Sequence, residues 1–332
     1  MLTGGRKKQL SVAVIMAGLC ALALAPFAMT GYQIRFATTI LMYIALAQAW
    51  NIIGGYAGYI SLGLVGFIGM GGYATGVFMT KFGMAFPVAA LLSGLCAMAL
   101  AVGIGPAILR LKAGYFAIAT FGVAQVLREL TSNLTGLTGG GMGLSLPLIP
   151  WGMTGIGRTF YYVMGLLSIA ATALVCFIDR TPFGYGLRAI KEDEEAAGVL
   201  GVNAMLYKVM AFALSALVAA LVGGTYAYWL TFIEPISMYD PTMSVTVIIM
   251  AMLGGAGTPW GPVIGAVVVS LISEYLWSRF IGVHLGTLGL SLILIVLFLP
   301  RGLMDMLGSR DSGFSWRRVW RTLAANASRY KA

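Results

Sequence analysis

Residues 181–208 read TPFGYGLRAIKEDEEAAGVLGVNAMLYK and form the one long polar interruption in an otherwise apolar chain. Four of the 11 acidic residues of the protein fall in a single run, at 192–195. Apolar segments long enough to cross a bilayer lie on both sides of this stretch. Because a charged stretch of this kind is not stable in hydrocarbon, it must lie in water. The sequence therefore predicts an aqueous loop between two membrane helices.

The beginning of the loop has the residues of a helix start. Thr181 can occupy the N-cap, and Pro182 then stands at the first helical position, where its missing N–H is not needed. Leu187 and Ile190 follow at helical spacing and would lie on one side of this first short helix. The alternative is an exposed polar loop without a specific role.

The end of the loop carries further helix signals. Asp193 can cap a second short helix, whose first turn is acidic and therefore favoured by the helix dipole. Gly201 is placed to end that helix, and Asn203 can cap the membrane segment that follows. The loop is therefore expected to hold two short helices.

The composition of the whole chain indicates a membrane protein. Of 332 residues, 59% are hydrophobic and only 10% are charged, and the mean hydropathy is +0.90. These values predict an all-α fold, a polytopic membrane helix bundle. The net charge of +10 does not require nucleic acid as a partner, because basic residues collected on one side of a membrane give the same value.

About ten apolar spans can be drawn along the chain. They lie at 10–29, 36–53, 59–79, 86–109, 115–130, 160–178, 207–229, 243–253, 262–277 and 285–299. The segment 10–29 follows a basic patch and has the features of a signal peptide, although a retained first helix agrees better with the charge distribution. The segment 243–253 is too short to cross the membrane as a plain helix, so a broken or re-entrant helix is the alternative there.

The basic residues orient these spans. With ten spans and a cytoplasmic N-terminus, most of the 21 basic residues fall on the cytoplasmic side, as the positive-inside rule requires. The outer side receives Arg35, Lys81, Arg128, Arg158 and Arg279. Both termini and the 181–208 loop are therefore predicted to be cytoplasmic. The tail 309–332, with interleaved tryptophan and arginine, is suited to membrane lipid rather than to nucleic acid.

The sequence offers little material for catalysis. There is one histidine, the three cysteines lie far apart in apolar spans, and no GxxxxGK[ST] phosphate-binding loop occurs. No catalytic residue, metal ligand or cofactor site is predicted. Acidic relays in mid-membrane, which proton-driven carriers need, are also missing. A stand-alone secondary carrier and a membrane-embedded enzyme are therefore the weaker alternatives to a transporter that is driven by a partner.

A second informative run, NIIGGYAGYISLG, covers residues 51–63. Its glycines favour a broken helix, or one that another backbone approaches closely, and the freed backbone groups could then line a cavity. Asn51 and Ser61 add polar side chains. The alternative is a glycine-rich packing face of the kind that is common between membrane helices. A related GGAG sequence at 254–257 indicates two similar halves.

Five motifs occur in the order in which one family carries them. Glu195-Ala196-Ala197, three residues and then Gly201 match an EAA-x3-G signature, and the run 51–63 matches N-x-x-x-G-Y-A-G-x-x-S-L-G. The others are LRLKAGYFAIAT at 109–120, LGGAGTPWGP at 253–262 and LPRG at 299–302. Over roughly residues 40 to 305 the chain resembles the branched-chain amino-acid ABC transporter permease family, in which urea and amide permeases are close relatives.

This resemblance implies a function, a set of partners and a domain plan. It implies a permease subunit of a bacterial ABC importer in the inner membrane, forming the path for leucine, isoleucine or valine. Urea or a short amide, carried by close relatives, is the alternative solute, and the family's histidine is missing after Gly63, which leaves the solute open. The implied partners are a homologous second permease, two cytoplasmic ATP-binding subunits and a periplasmic solute-binding protein, which would face the Leu-Thr-Gly-Gly segment at 137–140. Residues 1–308 would be the transmembrane permease domain, with 179–208 as its cytoplasmic coupling loop.

The resemblance also assigns roles to individual residues. The coupling loop would dock into a groove on the ATPase, and the residues assigned to ATPase coupling are Arg188, Glu194, Glu195, Ala196, Ala197 and Gly201. The residues assigned to the translocation path are Asn51, Gly55, Tyr56, Gly58, Ser61 and Gly63.

Overall fold

The structure is a computed structural model, and it describes residues 25–27, 29–147 and 153–279. Within these ranges the chain is an all-α bundle with a single pair of two-residue strands. Among the described residues, five helices are long and apolar enough to cross a membrane, namely Gly31–Tyr56, Phe86–Ile108, Gly155–Asp179, Ala204–Leu230 and Pro235–Gly254. The predicted fold class, an all-α membrane helix bundle, is confirmed. The predicted span 285–299 and nearly all of 10–29 lie outside the described residues.

The elements follow one another as a series of long helices joined by short ones. The first half contains α1 (Gly31–Trp50), a π-helix (Asn51–Tyr56), α2 (Leu64–Lys81), α3 (Phe86–Ile108), α4 (Ala113–Asn133), α5 (Thr135–Thr138), a 3-10 turn (Gly140–Met142), β1 (Leu144–Ser145) and α6 (Met153–Asp179). The second half contains α7 (Pro182–Glu192), α8 (Glu194–Val199), α9 (Ala204–Leu230), β2 (Phe232–Ile233), α10 (Pro235–Met238), α11 (Pro241–Gly254) and α12 (Gly261–Arg279). All predicted spans between 36 and 277 are helical over most of their length.

Two of these spans differ from a plain helix with the predicted bounds. The segment predicted at 59–79 becomes α-helical only at Leu64, because α1 passes into the π-helix and residues 57–63 then form a non-helical connection. The segment predicted at 243–253 is lengthened by α10, and Tyr239 and Asp240 separate α10 from α11. The expectation of a broken helix is therefore confirmed for the glycine-rich run 51–63, whereas 243–253 is continuous within α11 and the break precedes it.

The centre of the bundle is the contact between α2 and α9. A Cβ on Gly71 would collide with the backbone of Ala220, and a Cβ on Gly223 would collide with the backbone of Ile68. Because glycine lets two backbones approach this closely, dispersion contacts replace the hydrophobic effect that is absent in lipid. The glycine content of the chain is thus used for helix packing.

Two of the connections between helices meet at one end of the bundle. β1 pairs with β2 in antiparallel register, with Leu144 opposite Ile233. Thr131 at the end of α4 also shares a hydrogen bond of 2.9 Å with the Tyr239 hydroxyl. The opposite end holds α7 and α8, so the polar loop is separated from the strand pair by the length of the bundle.

Candidate functional site

The polar loop is folded as two helices, and its caps are largely those predicted. The Asp193 side chain accepts hydrogen bonds from the N–H groups of Glu195 and Ala196, at 2.9 and 3.0 Å. Asn203 accepts one from Leu206 N at 3.1 Å and so caps α9. Thr181 occupies the N-cap position of α7, but its hydroxyl donates backwards to the Ile178 carbonyl at 2.9 Å. Two of the three predicted side-chain caps are therefore confirmed.

The two loop helices have a buried side and an exposed side. Leu187 and Ile190 of α7 are buried, as the helical spacing predicted, and Ala197 of α8 is buried beside them. Val199 and Leu200, at the end of α8, are 88% and 81% exposed. The loop is thus packed onto the bundle through one face and presents an apolar tip to solvent.

A buried lysine ties α8 to the bundle. Lys208 of α9 is only 2% exposed, and its Nζ donates to Glu194 Oε1 at 2.7 Å, to the Leu109 carbonyl at 3.0 Å and to the Tyr59 hydroxyl at 3.1 Å. The Tyr59 hydroxyl in turn donates to Glu194 Oε2 at 2.8 Å. We call these four groups the Lys208 cluster. All three ammonium hydrogens have acceptors, which compensates for the removal of the charge from water.

The cluster keeps Glu194 ionised. Burial alone would raise the pKa of the Glu194 carboxyl, but the hydrogen bonds from Lys208 and Tyr59 and the charge of Lys208 outweigh burial and lower this pKa below its ordinary value. A lowered carboxyl pKa contributes stability above the pKa of the unfolded chain, and this contribution is lost as the pH falls through the folded value. The Glu194 carboxyl is therefore ionised at neutral pH.

The π-helix Asn51–Tyr56 and the glycine-rich turn before α12 meet beside the loop. Asn51 Oδ1 accepts a hydrogen bond from Gly257 N at 2.8 Å, and Asn51 Nδ2 donates to the Thr258 carbonyl at 3.0 Å. A Cβ on Gly257 would stand 3.0 Å from the Gly55 carbonyl oxygen, so the backbones are in close contact. We call the π-helix Asn51–Tyr56 together with the turn 255–260 the joint. It connects the end of α1 to the link between α11 and α12.

The first loop helix contacts this joint through two cations. Arg188 pairs with Asp179 and lies over the Tyr56 ring, with its Cζ 5.1 Å from the ring centroid. Lys191 Nζ donates to the Gly55 carbonyl at 2.9 Å. The Tyr56 hydroxyl donates to Asp179 Oδ1 at 2.8 Å. The loop, α6 and the joint therefore form one polar network at this end of the bundle.

Comparison with known proteins gives this geometry a context. The family described as "Branched-chain amino acid transport system / permease component" matches residues 32–299. The chain belongs to this family. Its match contains the joint, the loop and the Lys208 cluster, and together with the apolar helices it makes the chain a multi-pass membrane protein.

Several permeases are similar to this chain. The high-affinity branched-chain amino acid transport system permease protein LivM of Escherichia coli (strain K12) is 28% identical over 321 residues, covering 88% of this chain and 75% of the relative. The probable LivM of Methanocaldococcus jannaschii is 26% identical over 312 residues, covering 79% and 90%. LivH of E. coli (strain K12) is 27% identical over 186 residues, covering 52% and 59%. No solved structure gives a significant match.

In this permease, the residues predicted for the translocation path fall into two groups. Asn51, Gly55 and Tyr56 belong to the joint, and Gly58 lies against the Lys191 side chain. Ser61 and Gly63 lie further along, at the start of α2, where the Ser61 carbonyl accepts a hydrogen bond from Trp50 and a Cβ on Gly63 would meet the backbone of Thr120. Their role in a path remains a prediction.

The residues predicted for ATPase coupling also divide, because some face the permease and others face solvent. Arg188, Glu194 and Ala197 contact the rest of the chain, while Glu195, Ala196 and Gly201 are exposed. Gly201 has a φ of 88°, which fits the predicted end of α8.

Sequence reasoning missed Lys208, Tyr59 and Asp179 as site residues. The signal for Lys208 was its position in the first turns of a long apolar helix, where a buried charge needs a partner.

Proposed function

We propose that this chain is the permease subunit of a bacterial ABC importer, that it forms the transmembrane path for branched-chain amino acids and that separate ATP-binding subunits power it. The observation that carries the proposal is the loop itself: it is tied to the bundle by the Lys208 cluster and offers an apolar tip to solvent. A chain without a nucleotide-binding loop of its own needs such a contact to receive work from a partner. In this proposal the chain crosses the inner membrane about ten times, with both termini in the cytoplasm.

The chemistry of the exposed loop surface describes the ATPase face that would receive it. Tyr185, Val199 and Leu200 are exposed apolar side chains, and Glu192 and Glu195 lie exposed between them along the loop. Exposed apolar groups surrounded by charge are typical of a protein interface with a dry centre and a polar rim. The complementary surface is an apolar groove with basic residues at its edge.

We expect the double substitution Val199→Asp and Leu200→Asp to reduce co-purification of the ATP-binding subunits at least tenfold. A few well-buried apolar residues supply most of the binding energy of an interface, and two carboxylates in a dry groove are costly. The measurement is the amount of ATPase subunit retained with tagged permease after detergent extraction. Met142→Asp is the matched control, because Met142 is 89% exposed at the opposite end of the bundle. Retention of the ATPase by the double variant would refute docking through this tip.

The remaining partners follow from the relatives. E. coli carries two permeases similar to this chain, LivM and LivH, which supports a pore built from this chain and a homologous second permease. A periplasmic solute-binding protein would deliver the solute to the end that carries β1 and β2. The joint, at the other end, contains the predicted path residues Asn51, Gly55 and Tyr56 and would close the path on its cytoplasmic side.

The solute is tested by uptake in cells with and without this chain. We expect labelled leucine to accumulate only when the chain is present, and unlabelled isoleucine and valine to compete. Uptake of urea or a short amide in place of leucine would show that the solute of this chain is the alternative one. Equal leucine accumulation in both strains would refute the proposed function.

A further inference from the structure

The side chain of Lys191, an exposed residue of α7, lies in an open slot between Gly58 and Gly257. A Cβ on Gly58 would lie 2.9 Å from Lys191 Cγ, and a Cβ on Gly257 would lie 3.7 Å from Lys191 Nζ. Both glycines have positive φ, 78° and 84°, so the backbone shape of the slot also depends on them. The slot leads to the Gly55 carbonyl, which accepts a hydrogen bond from the lysine at 2.9 Å.

Arg188 makes an equivalent contact one helical turn earlier. Its Nη2 donates to the Gly257 carbonyl at 3.5 Å, and its guanidinium lies over the Tyr56 ring. Asp179, at the end of α6, holds the same guanidinium through an ion pair. Cation–π and charge-assisted contacts of this kind prefer defined geometries. The two cations of α7 therefore reach one carbonyl in each half of the joint.

The halves of the joint are themselves connected. The Asn51 side chain accepts a hydrogen bond from Gly257 N and donates one to the Thr258 carbonyl. Both polar atoms of this amide therefore connect the π-helix to the turn before α12. If α7 moved along its axis while the joint stayed in place, the hydrogen bonds of Lys191 and Arg188 to the joint would break. Because carbonyls released from regular helices inside a membrane protein need donors, the loss of these bonds is unfavourable.

We propose that Arg188 and Lys191 are the positioning residues that transmit movement of the coupling loop to the joint. We call the two cations with their carbonyl acceptors, Gly257 and Gly55, the cation latch. This inference rests on the proposed function and adds a transmission step inside the permease to the docking of the ATPase outside it. In this mechanism Gly55, Tyr56 and Gly58 form the surface that the side chains of α7 contact.

The transport test uses the complete complex in proteoliposomes, with ATP-binding subunits and binding protein. Lys191→Met keeps the apolar stem of the side chain but removes the donor, and we expect the leucine transported per ATP hydrolysed to fall five- to tenfold. ATP hydrolysis itself should stay within twofold of the unmodified complex, because the docking tip is unchanged. Lys191→Arg should recover at least half of the ratio. Lys112→Met, at an exposed lysine before α4, is the matched control and should leave the ratio unchanged.

A second measurement reads the latch without any transport. Spin labels at Glu192 and Trp260, both exposed, report the distance between α7 and the joint in the isolated chain once Cys20, Cys96 and Cys176 are replaced by alanine. We expect one narrow distance distribution in the parent chain and a clearly broader one after Lys191→Met. A narrow distribution in the variant would overturn the proposal.

The outcomes separate the latch from the proposed function. A normal transport ratio for Lys191→Met would overturn the latch and leave the permease assignment intact. Loss of the ATPase from the variant complex would also overturn it, because Lys191 would then act in docking. If the unmodified complex moved no leucine while the label distribution still broadened in the variant, the proposed solute would fail and the latch would stand.

Discussion

Replacing Glu194 by alanine is expected to destabilise the protein more than replacing Lys208 by methionine, although the two side chains form one ion pair. Lys208 is 2% exposed, so the loss of Glu194 leaves a buried ammonium with only the Leu109 carbonyl and the Tyr59 hydroxyl as acceptors. Removing one partner of a buried pair costs about 3–5 kcal/mol, and the lower end applies here because the Glu194 side chain is 44% exposed.

Replacing Lys208 by methionine leaves the Glu194 carboxylate without its cation, but water can reach this carboxylate. Without Lys208 the Glu194 carboxylate keeps its hydrogen bond from Tyr59 and can turn towards solvent, while methionine fills the space of the lysine stem. The Leu109 carbonyl loses its donor, so the expected cost is about 1–2 kcal/mol, the value of a neutral buried acceptor left unpaired rather than a charge. Thermal unfolding of the purified chain in detergent measures both variants. The larger loss with Lys208→Met would contradict the structure of the Lys208 cluster.

Glu195→Ala is the matched control for this comparison. It removes the neighbouring carboxylate of the same short helix, but this side chain is exposed and α8 keeps its Asp193 cap. The expected change is within about 0.5 kcal/mol. If Glu195→Ala lowered the stability as much as Glu194→Ala, the specific stabilising role of the Glu194 ion pair would be refuted.

What could be predicted from the sequence is what depends on near neighbours or on composition. Asp193 and Asn203 cap helices within three residues of themselves, so the cap motif contains all the interacting groups. The membrane helices follow from apolar length alone. The burial of Leu187 and Ile190 follows from helical spacing, since a loop helix must turn one side towards the bundle.

The contacts that make the candidate site could not be predicted in the same way. Tyr59 and Lys208 are 149 residues apart, and Asn51 and Gly257 are 206 apart. Such partners are chosen by the packing of several helices, and a single sequence carries no local sign of the choice. The similarity of the two glycine runs indicated two halves, but it gave no reason to expect that the runs touch. The resemblance assigned Gly55 and Tyr56 to a path, and the structure adds hydrogen bonds between both residues and the 179–208 loop, which nothing in the sequence indicated.

Substituting valine for Gly223 in α9 is expected to prevent accumulation of folded protein. The new Cβ would collide with the backbone of Ile68 in α2, with Ile68 Cα only 2.8 Å away. Because the obstacle is backbone and not the end of a flexible side chain, the two helices would have to separate, and Gly71 would lose its contact with Ala220. Overpacking of a tight interior costs 1–3 kcal/mol, and a forced separation of two central helices should cost about 3 kcal/mol or more.

Gly122→Val and Gly103→Val make the same chemical change in α4 and α3, where a Cβ would meet nothing within 4 Å. Both controls should accumulate at the level of the parent chain, measured as the monodisperse fraction after detergent extraction. Parent-level accumulation of Gly223→Val would refute the close contact of α2 and α9. A different result would be a Gly122→Val chain that is stable alone but fails to assemble with its partner subunits. Since Gly122 lies on an exposed face of α4 among Tyr115, Ile118 and Val126, that result would place the second permease against this face, because only a partner could turn open space into a steric limit.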